Sequence, residues 1–222
     1  MSFIQQKGKA GTMGDVNQIT YLTRYLKTNV STTDSTESLQ SKINISGPIL
    51  EVGSKDYGST ANFRSLFPEN DYIGLDMAEG PGVDVIQDLT AGLGPLQENY
   101  FGLIICCSVL EHVDKPWVMA ENLTKLLKPG GVLYMSVPWV WRYHAYPDDY
   151  FRFSWRGIMA LFAELDWVHP CYSTNVPNEI VEIEGANTSF DNQMAALLET
   201  PNGSRKYLPY LMVNMLGHKG DN

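Results

Sequence analysis

Apolar residues in this chain gather into short runs that stop at a small or acidic residue. Four such segments follow one another between residues 51 and 113: EVGSKDYG, YIGLDM, VIQDLT and FGLIICCSVLEHV. Parallel strands that end together at one rim give this pattern. The first strand is expected over residues 48–52, with Gly47 and Pro48 as punctuation before it and Gly53 opening the turn after it. Ser59 or Thr60 then caps a predicted helix with Ala61, Phe63, Leu66 and Phe67, which Pro68 stops. Strand two, residues 72–75, ends on Asp76, and strand three, residues 83–86, delivers Asp88. The unbroken apolar run 101–107 predicts a central strand covered on both faces. From Pro116 a helix carries Trp117, Ala120, Leu123 and Leu127 inward until Lys128, Pro129, Gly130 and Gly131 end it, and strand five follows over 132–137.

Outside this run the pattern is sparser. Asp15 is placed to cap a short helix whose Ile19, Leu22 and Leu26 share a face, serving either as a lid or as simple packing. The polar stretch STTDSTES, residues 31–38, reads as a linker or loop, so residues 1–40 are assigned to a helix and linker and 41–222 to one domain. Ser154 caps a helix with Trp155, Ile158, Met159 and Phe162 on one side. Residues 166–174 suit strand six, 193–199 a short helix and 207–216 the terminal strand, while 175–205 as a whole matches no pattern.

Composition narrows the partners. A chain of 222 residues can bury one substantial α/β core. Its formal charge of −9 argues against a nucleic-acid partner, which clustered lysine and arginine would hold. No apolar run is long enough for membrane insertion, and the start MSFIQQKGKAG lacks a secretory h-region, so a cytoplasmic location is expected. Three cysteines, with Cys106 and Cys107 adjacent inside an apolar strand, suit buried thiols and match neither a disulfide framework nor a zinc spacing; no metal site is expected.

Candidate chemistry lies at the strand ends. Asp76 stands about one β-α-β step beyond Glu51, where a carboxylate accepts both hydroxyls of a ribose, and Asp88 is suited to an exocyclic amino group of a base. Neither GxGxxG nor GxxxxGK[ST] occurs, which disfavours a dinucleotide and favours a nucleoside cofactor without phosphate. The ordered segments, together with FGLIICCSVLEHV followed by LLKPGGVLYMSVP, resemble the class I S-adenosylmethionine-dependent methyltransferases over roughly residues 45–165, in the subgroup related to small-molecule methyltransferases. The resemblance implies a Rossmann-like three-layer α/β sandwich whose mostly parallel seven-stranded sheet inserts an antiparallel last strand between strands five and six. It further implies S-adenosyl-L-methionine as cofactor, held by Glu51, Gly53, Ser54, Asp76, Met77, Asp88, Leu89 and Ser108. Where the family repeats glycine, this chain has Lys55 and Tyr57, with Gly58 displaced, so close backbone approach rests on Gly53.

After strand five comes WVWRYHAYPDDYFRFS, residues 139–154, at the end of the sheet where substrates enter. His144, Asp148 and Asp149 offer bases, and Arg142 and Arg152 a clamp for an acidic group; His144, Asp148 and Arg152 are the catalytic candidates, and the alternative is a structural loop in which Arg152 bonds Asp148 or a carbonyl. His112 reads as an orienting residue more than as a base. The expected reaction is direct displacement of the sulfonium methyl by a small-molecule acceptor. Similar histidine, proline, aspartate and arginine runs in relatives make a sugar or glycan precursor one candidate. Against this stand a nicotinamide oxidoreductase, disfavoured by the missing phosphate fingerprint, and a noncatalytic cofactor-binding or scaffold protein.

Overall fold

Because successive side chains of a strand point to opposite faces, a strand that is apolar throughout must be covered on both sides. The computed structural model describes residues 15–29, 42–58, 61–145, 147–183 and 210–221. Their elements in order are α1 (Gln18–Tyr25), β1 (Ile49–Val52), β2 (Tyr72–Asp76), β3 (Val85–Ile86), β4 (Phe101–Cys107), α2 (Pro116–Leu126), β5 (Leu127–Trp141), α3 (Trp155–Leu161), β6 (Leu165–Ser173), β7 (Ile180–Glu182) and β8 (Tyr210–Lys219). All strands join one sheet in the order β3-β2-β1-β4-β5-β8-β6-β7. The first five are parallel, and β8 runs antiparallel between β5 and β6.

Alternation along the central strands sorts the core into two layers. Leu50, Ile104, Cys106, Leu133 and Met135 face α2 and α3, where Met119, Leu123, Ile158 and Phe162 cover them. Ile49, Leu103, Ile105, Val132 and Tyr134 face the other way, against Tyr21, Leu22 and Leu26 of α1 and its end and against Phe63, Leu66 and Phe67. The result is the expected three-layer α/β sandwich. Its sheet has eight strands where seven were expected. The addition is β7, a three-residue edge strand paired with β6 at Tyr172↔Val181, too short to leave a periodic signal in the sequence.

Several boundaries differ for physical reasons. Between Ala61 and Pro68 there is room for only a 3₁₀ turn, Arg64–Leu66, although Phe63, Leu66 and Phe67 are buried as expected; Ser59 and Thr60 lie outside the described residues. In α2 the buried stripe runs through Pro116, Met119, Ala120, Leu123 and Leu126, which turns Trp117 outward to 59 % exposure, contrary to its expected inward position. Strand β5 begins at Leu127, and its pairing with β4 shifts register before Val132, where Gly130 takes φ +70. Ser154 caps α3 as expected, accepting a hydrogen bond from the Gly157 N–H at 3.0 Å. The expected linker 31–38 and helix 193–199 lie outside the described residues. No helix among the described residues is long and apolar enough to cross a membrane.

The N-terminal helix packs on the sheet. Tyr21 stacks on Tyr134 at 5.1 Å between ring centres and donates its hydroxyl to the His169 carbonyl at 2.8 Å, while Gln18 reaches Ser136 Oγ at 3.1 Å. Asp15 does not cap this helix at the N-cap position, which Asn17 occupies; it accepts the Asn17 N–H at 2.9 Å and the Ser173 hydroxyl, and burial pushes its carboxyl up. Fully buried Asn17 is the knot: its Nδ2 donates to the carbonyls of Thr174 and Val176 at 2.8 and 2.9 Å, and its Oδ1 accepts the Asn178 N–H at 2.6 Å. Replacing Asn17 by Ala removes three hydrogen bonds and strands buried partners. Urea unfolding should register a loss of about 2–4 kcal/mol, and a loss under about 0.5 kcal/mol would mean that the tether carries no stability.

Candidate active site

In an open parallel sheet the ligand crevice lies outside the carboxyl ends of the strands, where the strand order reverses. Here that point is between β1 and β4, which pair at Val52↔Cys106 with β2 on the far side at Val52↔Leu75. Gly53 leaves β1 at φ +77, and a side chain there would meet Val109 Cγ2 at 2.4 Å, so the turn requires glycine on both counts. The N–H groups of Gly53 and Ser54 both donate to the Leu75 carbonyl, at 2.8 and 3.1 Å. Ser54 is buried, and its Oγ has no hydrogen-bond partner among the described residues.

Asp76 ends β2 at the same rim. Its Oδ1 accepts the Ala78 N–H at 3.0 Å and its Oδ2 the Lys55 N–H at 3.3 Å, which leaves lone pairs on both oxygens. Met77 beside it is 57 % exposed. The loop after β1 leans on the loop after β2 through Asp56 N–H to the Pro81 carbonyl, 2.8 Å, and through the Lys55 stem over Gly80. Beyond β3, Asp88 Oδ1 accepts both the N–H and the hydroxyl of Thr90 at 2.8 Å. Leu89, expected beside the cofactor, is 3 % exposed with its side chain in the core against α2. Ser108 closes the row after β4 in a left-handed conformation, φ +54, which is uncommon for serine and typical of strained functional turns. Glu51 sits one step back inside β1, its Oε2 bonded by the Tyr72 hydroxyl at 2.7 Å, and burial pushes its carboxyl up to about 7.

Residues 142–145 and 147–154 follow β5 and are pinned beside the end of β4 by the Tyr150 and Phe151 N–H groups donating to the Glu111 carbonyl at 2.8 and 3.2 Å. Arg152 commits all five N–H donors within its own segment, to both carboxylate oxygens of Asp149 and to the carbonyls of Trp141, Arg142 and Phe151. No donor is left for an acidic substrate, so Arg152 holds the loop, and its partner is Asp149 rather than Asp148. That guanidinium keeps the Asp149 carboxyl well below the usual carboxylate range. Asp148 is likewise held low by the Asp149 N–H and the Tyr143 hydroxyl, which makes it a poor base near neutral pH. His144 stays at the surface of the loop, 31 % exposed, its ring edge-on to His112 with centres 4.9 Å apart.

A sequence model described as a methyltransferase domain matches residues 50–135, from β1 into β5. Over this segment the chain is similar to methyltransferase domains, in keeping with the resemblance to class I S-adenosylmethionine-dependent methyltransferases. No curated protein matches the sequence significantly. Solved methyltransferase structures share the fold at low identity. A 1,6-didemethyltoxoflavin-N1-methyltransferase from Burkholderia thailandensis, solved with 1,6-didemethyltoxoflavin and S-adenosylhomocysteine, is 16 % identical with a TM-score of 0.51, covering 78 % of this chain and 71 % of its own. A possible histamine N-methyltransferase from Thermotoga maritima is 19 % identical with a TM-score of 0.51, covering 78 % and 83 %. A methyltransferase from Archaeoglobus fulgidus gives 14 %, 0.53, 78 % and 86 % in the same terms.

Within this methyltransferase fold, one residue at the rim was not singled out from the sequence. Glu111 follows β4 with its side chain 1 % exposed, and burial raises its carboxyl to about 8. The signal in the sequence is SVLEHV, a carboxylate set directly after an apolar run. Glu51 supplies a pH test of the site's electrostatics. Its folded value lies above the ordinary carboxylate value of 4.5, so the folded protein loses stability as pH rises through the interval up to about 7. Between pH 5 and 8 the parent should lose about 1–3 kcal/mol relative to Glu51→Gln in denaturant titrations. A difference that does not change with pH would show that Glu51 ionises as it does in water.

Proposed function

We propose that this protein transfers a methyl group from S-adenosylmethionine to a small-molecule acceptor entering beneath residues 139–154. The observation that carries this reading is the convergence of Gly53, Asp76, Asp88 and Ser108 on one rim at the reversal between β1 and β4. The donor set fits the cofactor: Asp76 retains acceptor capacity for ribose hydroxyls and Asp88 for a base amino group, and no phosphate-binding loop competes. Bound S-adenosylmethionine supplies an electrophilic methyl on a sulfonium. The chain's own part is to fix the approach of the acceptor, which is worth about 7–11 kcal/mol, more than a general base typically adds. Arg152 and Asp149 position the loop, and His112 and His144 are the groups placed to orient or deprotonate an acceptor.

Support from likeness is limited to fold, although the Burkholderia neighbour does hold S-adenosylhomocysteine and a small acceptor. A cofactor-binding or scaffold role without turnover is favoured by one observation, the contact of Lys55 and Asp56 with Gly80 and Pro81, which draws the two cofactor loops together. Calorimetry with S-adenosylmethionine and NAD, followed by methyl release to an acceptor panel that includes sugars, separates these readings. The parent is expected to bind S-adenosylmethionine but not NAD, with binding to Asp76→Ala weakened by about 1.5–3 kcal/mol, or roughly 10- to 150-fold. Unchanged affinity in Asp76→Ala would remove that carboxylate from the site. His144→Ala is expected to keep cofactor affinity while lowering turnover; parent-like turnover would exclude the loop from catalysis.

A further inference from the structure

Glu111 presents a problem that the methyl-transfer reading leaves unsolved. Its side chain is 1 % exposed, and its Oε2 has no hydrogen-bond partner among the described residues. A carboxylate buried this way is costly unless a positive charge or a proton compensates it. Arg152, the guanidinium in the same region, has all its donors engaged elsewhere. Imidazoles surround Glu111 instead. His112 Nε2 lies 3.8 Å from its Oε1, and one ligand atom each from Glu111, His112 and His144 lie within 4.8 Å of one another.

Both rings are braced from behind. His112 Nδ1 is 2.5 Å from the Asp148 carbonyl, and since a carbonyl only accepts, the ring carries its proton there and turns the Nε2 lone pair toward Glu111. His144 Nδ1 lies 3.2 Å from the Arg142 carbonyl and 3.2 Å from Asp149 Oδ2. Metal-binding histidines are held in this way, with the second nitrogen bonded to a carbonyl or carboxylate. We propose that Glu111, His112 and His144 form a binding site for a divalent transition-metal cation of the zinc type. Two imidazoles and a carboxylate are the donors such an ion takes, with a remaining position for water or a substrate oxygen. Ligand atoms around a tetrahedral zinc ion stand about 3.3 Å apart, so pairs that now lie within 4.8 Å close by at most about 1.5 Å, a movement His144 on its loop can supply. That the open position faces the methyl acceptor rests on the proposed function, because Glu111 and His112 lie four and five residues past the end of β4; the metal site itself rests on the cluster alone.

The full-length protein, stripped with chelator and dialysed without S-adenosylmethionine, is titrated with Zn²⁺ by calorimetry and with Co²⁺ by visible absorption. One equivalent should bind, with cobalt bands of a low-coordinate site. Glu111→Gln, nearly identical in shape, and His144→Gln should each weaken binding by at least ~10-fold, while His218→Gln on β8 leaves it as in the parent. Thermal melts establish folding, and if Glu111→Gln unfolds, the variant at His144, which is only 31 % exposed but lies at the loop surface, decides. Absence of a stoichiometric site in the parent, or parent affinity in folded His144→Gln protein, overturns the proposal. Since no methyl donor is present, failure of this titration leaves the methyl-transfer reading standing, and failure of cofactor binding leaves the metal site standing.

Discussion

Burial of β1, β4 and β5 on both faces is the constraint from which the rest follows. Ile49, Leu50, Leu103, Ile104, Ile105, Leu133, Tyr134 and Met135 are fully enclosed, so polar chemistry has little place along these strands and collects where they end. The parallel order sends those ends to one rim, and the reversal between β1 and β4 opens the rim there. Glu51, one step inside, shows the strength of the constraint: a carboxylate that retreats from the rim has its ionisation suppressed.

Much of this was legible in the sequence because buried strands leave strong signals. The run 101–107 became β4 without adjustment, and the Ser154 cap formed its hydrogen bond to Gly157. Asp76 and Asp88 lie where the apolar runs stopped. Less legible was anything decided by rotation or by partners distant in the chain. Trp117 faces outward because Pro116 starts the buried stripe one residue earlier, which hydrophobicity alone does not reveal. The Leu89 carbonyl is bonded by Asn122, thirty-three positions away. The edge strand β7 is too short to carry a period.

The aromatic loop shows how one chemical pattern supports two roles. His144, Asp148 and Arg152 carry the residue types of a catalytic set, yet the guanidinium is saturated by Asp149 and backbone carbonyls. Such a clamp gives the loop a defined shape over the rim, and preorganised geometry of this kind is what methyl transfer demands of a protein. The residues left with unmet valence are others: Glu111, buried with a free oxygen, and the two imidazoles that face it.

A crystal structure with S-adenosylhomocysteine bound tests the central claim most directly. The account predicts the ligand outside the carboxyl ends of β1 and β4, its ribose hydroxyls within hydrogen-bond distance of Asp76 and its thioether directed toward the space beneath residues 139–154. A ligand seated at the amino ends of the strands, or with its ribose away from Asp76, would contradict it.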